Sequence, residues 1–96
     1  MDITDSIISY RRFLKRRNYS AHSIKNYMNL LRHFVLWVDV PLQEVTHGKV
    51  LGYIDWLLSK RLKPKTINCH LACISGFYHY LDYEREVKIK NPVKKG

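Results

Sequence analysis

The sequence predicts an all-α fold, a compact bundle of four helices in one domain. Apolar residues recur at intervals of three and four along most of the chain, which is the spacing of one helix face, and no stretch keeps strand-like alternation for long. Residues that start or break helices separate the apolar segments. Ninety-six residues suffice for one hydrophobic core but hardly for two. Short connections between amphipathic helices favour a bundle whose core receives one stripe from each helix.

The first two helices are predicted on either side of the segment RRNY. Helix 1 should begin near Asp2 or Thr4, either of which can cap a helix, and end at about Arg16. Ser20 is a good N-cap for helix 2. The predicted apolar stripe of helix 1 is Ile3, Ile7, Tyr10 and Leu14, with Phe13 beside it. The stripe of helix 2 is Ile24, Tyr27, Leu31, Phe34, Val35 and Val38.

Two further helices follow the break at Pro41. Thr46 should cap helix 3, and Pro64 suits the first turn of helix 4, where a missing N–H costs nothing. The predicted buried side of helix 3 is Val50, Tyr53, Ile54, Leu57 and Leu58. That of helix 4 is Ile67, Leu71, Ile74, Phe77, Tyr78 and Leu81. A short turn or strand-like piece could occupy residues 87–89, and Asn91-Pro92 indicates a stop.

Charge is strongly segregated along the chain. Seventeen Lys and Arg residues face eight Asp and Glu residues, giving a net charge of +9. No acid lies between Asp5 and Asp39, and every charge between Asp55 and Asp82 is positive. This pattern favours a surface that binds phosphates, although a solvated face that is basic without binding anything remains the alternative.

Two predicted helix faces combine hydrogen-bonding groups with positive charge and lack carboxylates. Opposite the apolar stripe of helix 2 lie His22, Lys25, Asn26, Asn29, Arg32 and His33. Around the first turns of helix 4 lie Lys63, Lys65, Thr66, Asn68, Cys69 and His70. Ser20 and Ser23 stand at the start of helix 2, where free N–H groups attract a phosphate. Asn can read adenine while Lys and Arg neutralise the backbone, so both faces indicate double-stranded DNA.

Other chemistry finds little support. Cys69 and Cys73 are four residues apart, with His70 adjacent, but a structural zinc normally takes four ligands and no second pair is apparent. We therefore expect no metal and no cofactor, with Cys69 on the polar face and Cys73 near the core edge. Small residues at Ala72 and Gly76 would serve either the approach of a partner or helix packing.

Motifs of enzymes and of exported or membrane proteins are also missing from the sequence. It contains no Gly-rich phosphate loop, HExxH or nucleophile elbow, so catalysis by this chain is not expected. No apolar run approaches the roughly 20 residues of a membrane span, and no secretory signal is present. We expect a soluble, intracellular protein.

Several motifs resemble the N-terminal core-binding domain, or SAM-like domain, of tyrosine recombinases, a family that includes phage integrases and Xer-type enzymes. The resemblance covers roughly residues 4–93, and Ser23 departs from it mildly because the family commonly has Thr there. The motifs are Ser20-x-x-Ser23-x-x-x-Tyr27 with Phe34, Val45-Thr46, Lys65-Thr66-Ile67 with Leu71, Phe77-Tyr78 and Leu81, and Asn91-Pro92.

The resemblance implies half of a clamp around DNA, with helices 2 and 4 facing the major groove. It implies a DNA-facing role for His22, Ser23, Lys25, Asn26, Lys63, Lys65, Thr66 and Cys69. Helix geometry alone adds Asn29, Arg32 and His70. Residues 1–90 would be the core-binding domain, and residues 91–96 would begin a linker to a catalytic domain whose residues find no match here.

The expected partners are the core recombination site as double-stranded DNA and, on DNA, other recombinase protomers. The isolated domain would be a monomer in the cytoplasm, encoded by a bacterium, phage or mobile element. Two other readings stay open. One is a helical protein–protein interaction module for an acidic partner, with Leu36 and Trp37 as an exposed apolar patch. The other is a helix-turn-helix regulator that uses a single recognition helix.

Overall fold

The described part of the chain folds into four α-helices, as the sequence predicts. The computed structural model describes residues 3–83 and 89–93. The helices are α1 (Ile3–Arg16), α2 (Ala21–Val38), α3 (His47–Ser59) and α4 (Pro64–Tyr83), and a single 3-10 turn covers Leu42–Glu44. No strand occurs in these two ranges, and no helix in them is long and apolar enough to cross a bilayer. The all-α prediction is confirmed.

The helix starts follow local side-chain chemistry. Ser20 has an extended backbone, and its Oγ accepts a hydrogen bond from the Ser23 N–H at 3.1 Å, which caps α2. Thr46 caps α3 in the same way, accepting from the Lys49 N–H at 3.2 Å. Pro64 is the first residue of α4. These three predictions are confirmed, whereas Thr4 lies inside α1, and Asp2 and most of the predicted piece at 87–89 fall outside the described residues.

The core is built on an aromatic cluster around Tyr53 of α3, which is fully buried. Its ring packs edge-on against Phe34 of α2, with centroids 5.2 Å apart, and contacts Trp37 at 5.2 Å and Trp56 at 5.8 Å. On the other side of the bundle, the ring of Tyr10 of α1 packs against Phe77 and Tyr80 of α4, with centroids 5.2 and 5.1 Å away. These contacts fix α2 and α4 between α1 and α3.

The buried face of α4 is wider than predicted. Cys73 is buried, although the sequence suggested the core edge for it, and Tyr80, which lies outside the predicted stripe, is buried as well. The reason is that contacts beside the predicted stripe cover these residues: Tyr80 packs against Tyr10 of α1 with ring centroids 5.1 Å apart, and the Cys73 thiol bonds a carbonyl of α2. On α3, Leu58 is 53% exposed and Ile54 half-buried, which corrects their predicted burial, because Leu57 occupies the core position of the last turn.

Two non-helical segments are tied to the bundle by hydrogen bonds. The buried Tyr78 hydroxyl donates to the Leu42 carbonyl at 2.8 Å, which fixes the segment between α2 and α3. Asn91 Nδ2 donates to the Ser75 carbonyl at 3.2 Å and to its Oγ at 3.1 Å, and Pro92 is buried. Residues 89–93 therefore lie against the bundle, outside any helix.

Candidate nucleic-acid interface

The first surface of interest is the exposed side of α2, called here the α2 polar stripe. Its members are His22, Lys25, Asn26, Asn29, Arg32 and His33, and all six side chains are exposed. They repeat at helical spacing opposite the buried Ile24 and Leu31. Because no acid lies between Asp5 and Asp39, the stripe lacks a carboxylate of its own helix.

Ser23 lies beside this stripe but is half-buried. Its Oγ accepts a hydrogen bond from Ser20 Oγ at 3.0 Å, while its N–H donates to the same Ser20 oxygen. Both serines therefore belong to the cap that starts α2. The hydroxyls stand beside the N–H groups of the first turn, where the helix dipole favours an anion.

The second surface is the start of α4, called here the α4 basic turn. It consists of Lys63, Lys65, Thr66 and Cys69, which are all exposed. Pro64 starts the helix between the two lysines, and α4 carries no acid before Asp82. The predicted residues of this region are thus accessible, with the exception of His70.

Helices α2 and α4 are in direct contact near Tyr27. The Cys73 thiol donates a hydrogen bond to the Tyr27 carbonyl across the two helices, with an Sγ–O distance of 3.4 Å. Burial raises the pKa of the Tyr27 hydroxyl, and the neighbouring Tyr19, Cys73 and Cys69 raise this pKa further. Cys69 of the α4 basic turn is therefore close to α2, and the two surfaces belong to neighbouring helices.

A groove of about 400 Å³ lies where α2, the end of α3 and the start of α4 meet. Asn29 and His33 line its α2 wall, Trp56 and Lys60 its α3 wall, and His70 its α4 wall. The structure thus brings the predicted residues Asn29 and His70 together. Sequence reasoning missed the α3 wall, where Lys60 Nζ lies 5.1 Å from the Trp56 ring centroid. The spacing of these two residues, one helical turn apart, was the available signal.

His70 is the predicted site residue that the structure places below the surface. Its side chain is 8% exposed, and its ring meets Tyr53 edge-on at 6.1 Å. Burial lowers the pKa of His70, and the nearby His33 lowers it further, so the ring is neutral at pH 7. Its Nδ1 finds no hydrogen-bond partner among the described residues. Position 70 lies one turn from Ile67 and Ile74, which explains why it turns inward.

A second groove, of about 300 Å³, separates α2 from α1. Ile7 and Ile8 line its α1 wall, and Met28, Asn29 and Arg32 line its α2 wall. Asn29 therefore borders both grooves and marks the middle of the α2 polar stripe. Arg32 lies on the α1 edge of the stripe, and His33 lies on the α4 edge.

The cysteines differ sharply in environment. Cys69 is exposed, whereas Cys73 is 1% exposed and its burial raises the pKa of the thiol to about 12. No group of three potential metal ligands occurs in the part of the chain that the structure describes. Of the two small residues left open above, Gly76 packs against α1, because a Cβ there would lie 3.2 Å from Tyr10 Oη. Ala72 is exposed.

Comparison with known proteins agrees with this architecture. Residues 7–85 match the family described as phage integrase, N-terminal SAM-like domain. Tyrosine recombinase XerC of Syntrophus aciditrophicus (strain SB) is 30% identical over 89 residues, which cover 81% of this chain and 28% of the relative. Tyrosine recombinase XerD of Listeria monocytogenes serovar 1/2a is 27% identical over 89 residues, covering 85% of this chain and 30% of that protein.

A solved structure shows the same fold. The crystal structure of XerA recombinase superposes with a TM-score of 0.79 at 18% identity, and the match covers 99% of this chain and 35% of that chain. The chain thus spans about a third or less of the length of the relatives it matches. Matched by the family over most of its residues, and by tyrosine recombinases in both sequence and fold, this chain belongs to the phage integrase N-terminal SAM-like domain family.

Proposed function

We propose that this domain binds double-stranded DNA at the core site of a site-specific tyrosine recombinase, gripping it with the α2 polar stripe and the α4 basic turn. One observation carries the proposal. Two neighbouring helices expose Lys, Arg, Asn and His side chains along faces that contain no carboxylate. A duplex presents one negative charge per roughly 1.7 Å of its axis, which such a surface complements.

The residue types suit a division of labour on DNA. Lys25, Arg32, Lys63 and Lys65 supply the charge that holds phosphates. Asn26 and Asn29 can pair with the N6 and N7 edge of adenine in the major groove, which is wide enough to admit a helix. The exposed Thr66 and Cys69 can contact a thymine methyl group or a phosphate. His70, being buried and neutral, supports the groove wall and does not reach the duplex.

Membership of the family supports the wider role. The relatives are named tyrosine recombinases, and this chain corresponds to less than a third of the length of XerC and XerD. We infer that the chain positions DNA for integration or recombination, and that a separate domain of such a recombinase supplies the chemistry. Other recombinase protomers would be its partners on DNA, and the isolated domain would be a monomer in the cytoplasm.

The proposal is tested by removing two charges from each helix in turn. Lys25→Gln with Arg32→Gln alters the α2 polar stripe, and Lys63→Gln with Lys65→Gln alters the α4 basic turn. All four side chains are exposed, and Gln keeps good helix propensity, so the fold should persist. Binding of the unmodified domain to a mixed-sequence duplex should fall in the range of about 10⁻⁴–10⁻⁶ M and weaken steeply with salt.

Each double variant should reduce the slope of log affinity against log salt by up to about 1.8, because each lost phosphate contact contributes roughly 0.9. The charge-matched control is Lys49→Gln with Lys90→Gln, two exposed lysines outside both surfaces, which should change the slope far less. Comparable losses from the α2 and α4 variants support a clamp. Loss from only one of them would instead point to a single recognition helix, and equal loss from the control would reject a defined face.

The competing role is a protein-binding module for an acidic partner. It is favoured by Leu36, which is 73% exposed at the end of the α2 polar stripe, next to the half-buried Trp37. Leu36→Ser separates the two roles. It should leave DNA affinity within about twofold of the unmodified domain if phosphates dominate binding. Partner binding that survives high salt and is lost in this variant would favour the module.

A further inference from the structure

We propose that α1 supplies a third, phosphate-binding edge to the interface, formed by Arg11 and Lys15 beside the α2 polar stripe. The inference rests on the proposed function, since both involve duplex DNA. It adds a helix that neither the sequence motifs nor the α2 and α4 surfaces include. We refer to these two residues as the α1 edge.

The charge on α1 is concentrated in its last two turns. Residues 11–17, RRFLKRR, contain five cations and no acid. Arg11, Arg12, Lys15 and Arg16 are exposed, while Leu14 between them is buried and holds the helix against the bundle. Five cations within seven residues repel one another in the free protein, and a polyanion relieves that repulsion.

The α1–α2 groove indicates which of these cations face α2. Ile7 is half-buried and Ile8 is 46% exposed, and both line the groove opposite Met28 and Arg32. Residues four and eight positions after Ile7 continue its line along the helix. Those positions are Arg11 and Lys15, which therefore follow the α2 side of α1.

Arg12 and Arg16 occupy the corresponding positions after Ile8. At about 100° per residue, Arg11 and Lys15 point between the directions of Ile7 and Ile8, which both line the groove, whereas Arg12 and Arg16 point beyond Ile8, away from α2. Arg17 differs again, since its guanidinium lies 5.3 Å from the Phe13 ring centroid. The chain thus offers two pairs of cations on one helix, equal in charge and different in direction.

Arg11 and Lys15 lie beside the first half of the α2 polar stripe. Residues 17–20 join the two helices, and Ile8 of α1 shares a groove with Asn29 of α2, which lies about as far from this connection; this pairing is that of an antiparallel helical hairpin. Ile8 and Arg32 line the same groove, and one to two turns further along α1 an antiparallel pairing brings the chain beside the turn of α2 that holds Lys25. Arg11 and Lys15 of α1 and Lys25 and Arg32 of α2 thus lie on facing helix edges with no acid between them in the sequence. Together they can bind the phosphates of one DNA strand.

An acidic protein would also complement these four cations, but DNA matches the surrounding side chains better. The α1 edge continues a stripe whose Asn and His side chains suit base edges as well as phosphates. A duplex lying on the α2 polar stripe would bring one of its backbones over the α1–α2 groove. The same ligand therefore satisfies both features.

The test compares Arg11→Gln with Lys15→Gln against Arg12→Gln with Arg16→Gln, in the full 96-residue chain. Both pairs remove two charges from exposed positions of one helix, so long-range attraction changes equally. Affinity for a mixed-sequence duplex is measured at a series of KCl concentrations, with circular dichroism to confirm the helical fold. Loss of two phosphate contacts should lower the salt slope by about 1.8 in the first pair.

The expected result is a slope change in the Arg11 and Lys15 variant at least twice that in the Arg12 and Arg16 variant. Equal slope changes in the two pairs, or a larger change in the Arg12 and Arg16 variant, would overturn the inference. The salt dependence would then reflect the total charge of α1 and not the direction in which its side chains point. No binding by the unmodified domain would instead reject the proposed function itself. Binding that the α2 and α4 variants abolish, and the α1 edge variant leaves intact, would reject only the α1 edge.

Discussion

Two buried tyrosines should respond in opposite ways to loss of the hydroxyl group. Tyr53 and Tyr78 are both fully buried, and both hydroxyl groups are shielded from solvent. The Tyr78 hydroxyl donates to the Leu42 carbonyl at 2.8 Å, whereas the Tyr53 hydroxyl has no hydrogen-bond partner in the described part of the chain. Replacing each by Phe keeps the ring and removes only the oxygen, so the pair isolates the contribution of one hydrogen bond.

The magnitudes follow from the partners left behind. A typical hydrogen bond contributes about 0.5–1.5 kcal/mol, and an orphaned buried acceptor costs about 1–3 kcal/mol. The Leu42 carbonyl also accepts from the Val45 N–H at 3.3 Å, so it keeps one partner and the cost lies near the lower end. Tyr78→Phe should therefore destabilise the domain by about 1–1.5 kcal/mol, or roughly 4–12 °C in Tm for a chain of this size.

Tyr53→Phe should be neutral or stabilising by up to about 1 kcal/mol, because it removes a polar group that is desolvated without compensation. The ring contacts with Phe34, Trp37 and Trp56 persist in this variant. Urea unfolding followed by circular dichroism measures both free energies of unfolding under one set of conditions. Equal destabilisation by the two substitutions would refute this hydrogen-bond reasoning, because it would mean that the Tyr53 hydroxyl is also paired.

Three further outcomes test other parts of the fold. In the native protein at pH 8, alkylation should be rapid at the exposed Cys69 and slow at the buried Cys73, whose thiol pKa is raised to about 12. Mass spectrometry should therefore find one rapidly added label per chain, and two labels after denaturation. The pKa of His70 in the folded state lies below its ordinary 6.5, so the contribution of this residue to stability is present above pH 6.5 and is lost as pH falls. Between pH 7 and 5 the free energy of unfolding of His70→Gln should therefore decline less than that of a His22→Gln control. Equal declines would count against a buried His70. Asp39→Gly should raise the free energy of unfolding by roughly 0.5–1 kcal/mol, because Asp39 ends α2 with φ 50°, a left-handed conformation that glycine adopts without strain. A lower Tm would show that the Asp39 side chain has a stabilising role there.

Helix starts could be predicted because their chemistry is local. Ser20 and Thr46 each accept a bond from an N–H only three residues ahead, so the sequence contains both partners. Pro64 needs no partner at all. The apolar period likewise identified the buried Leu31 and Phe34 of α2, because apolar residues at helical spacing lie on one face.

Burial on α4 could not be predicted in the same way. His70, Cys73 and Tyr80 are buried by contacts with other helices: His70 meets Tyr53 of α3, the Cys73 thiol bonds a carbonyl of α2, and Tyr80 meets Tyr10 of α1. Which helices are neighbours is a property of the assembled bundle. The sequence shows how wide an apolar stripe is but not how much polar surface neighbours will cover. Leu58 shows the converse case, an apolar residue at helical spacing that no neighbour covers.

For the candidate interface, too, the sequence predicts which side chains are exposed but not how the helices arrange them. Exposure of the α2 polar stripe and the α4 basic turn follows from periodicity, and the structure places these side chains in solvent as that period requires. Their arrangement does not follow from periodicity. That His33 borders α4 while Arg32 borders α1 depends on the positions of helices distant in sequence, and the two grooves reveal it.

The core also determines how firmly the interface is presented. Turning α2 about its axis by one residue, which would present a different face to solvent, would expose Leu31 and Phe34, which are now almost fully buried. Each such exposure costs about 1.5–3 kcal/mol, which is large against the roughly 5–15 kcal/mol by which a folded domain is stable. The edge-on packing of Phe34 against Tyr53 and the Cys73–Tyr27 hydrogen bond add directional restraints on two sides of the helix. The core therefore holds the α2 polar stripe in one orientation, so under the proposed function the binding free energy of its contacts is not spent on ordering the helix.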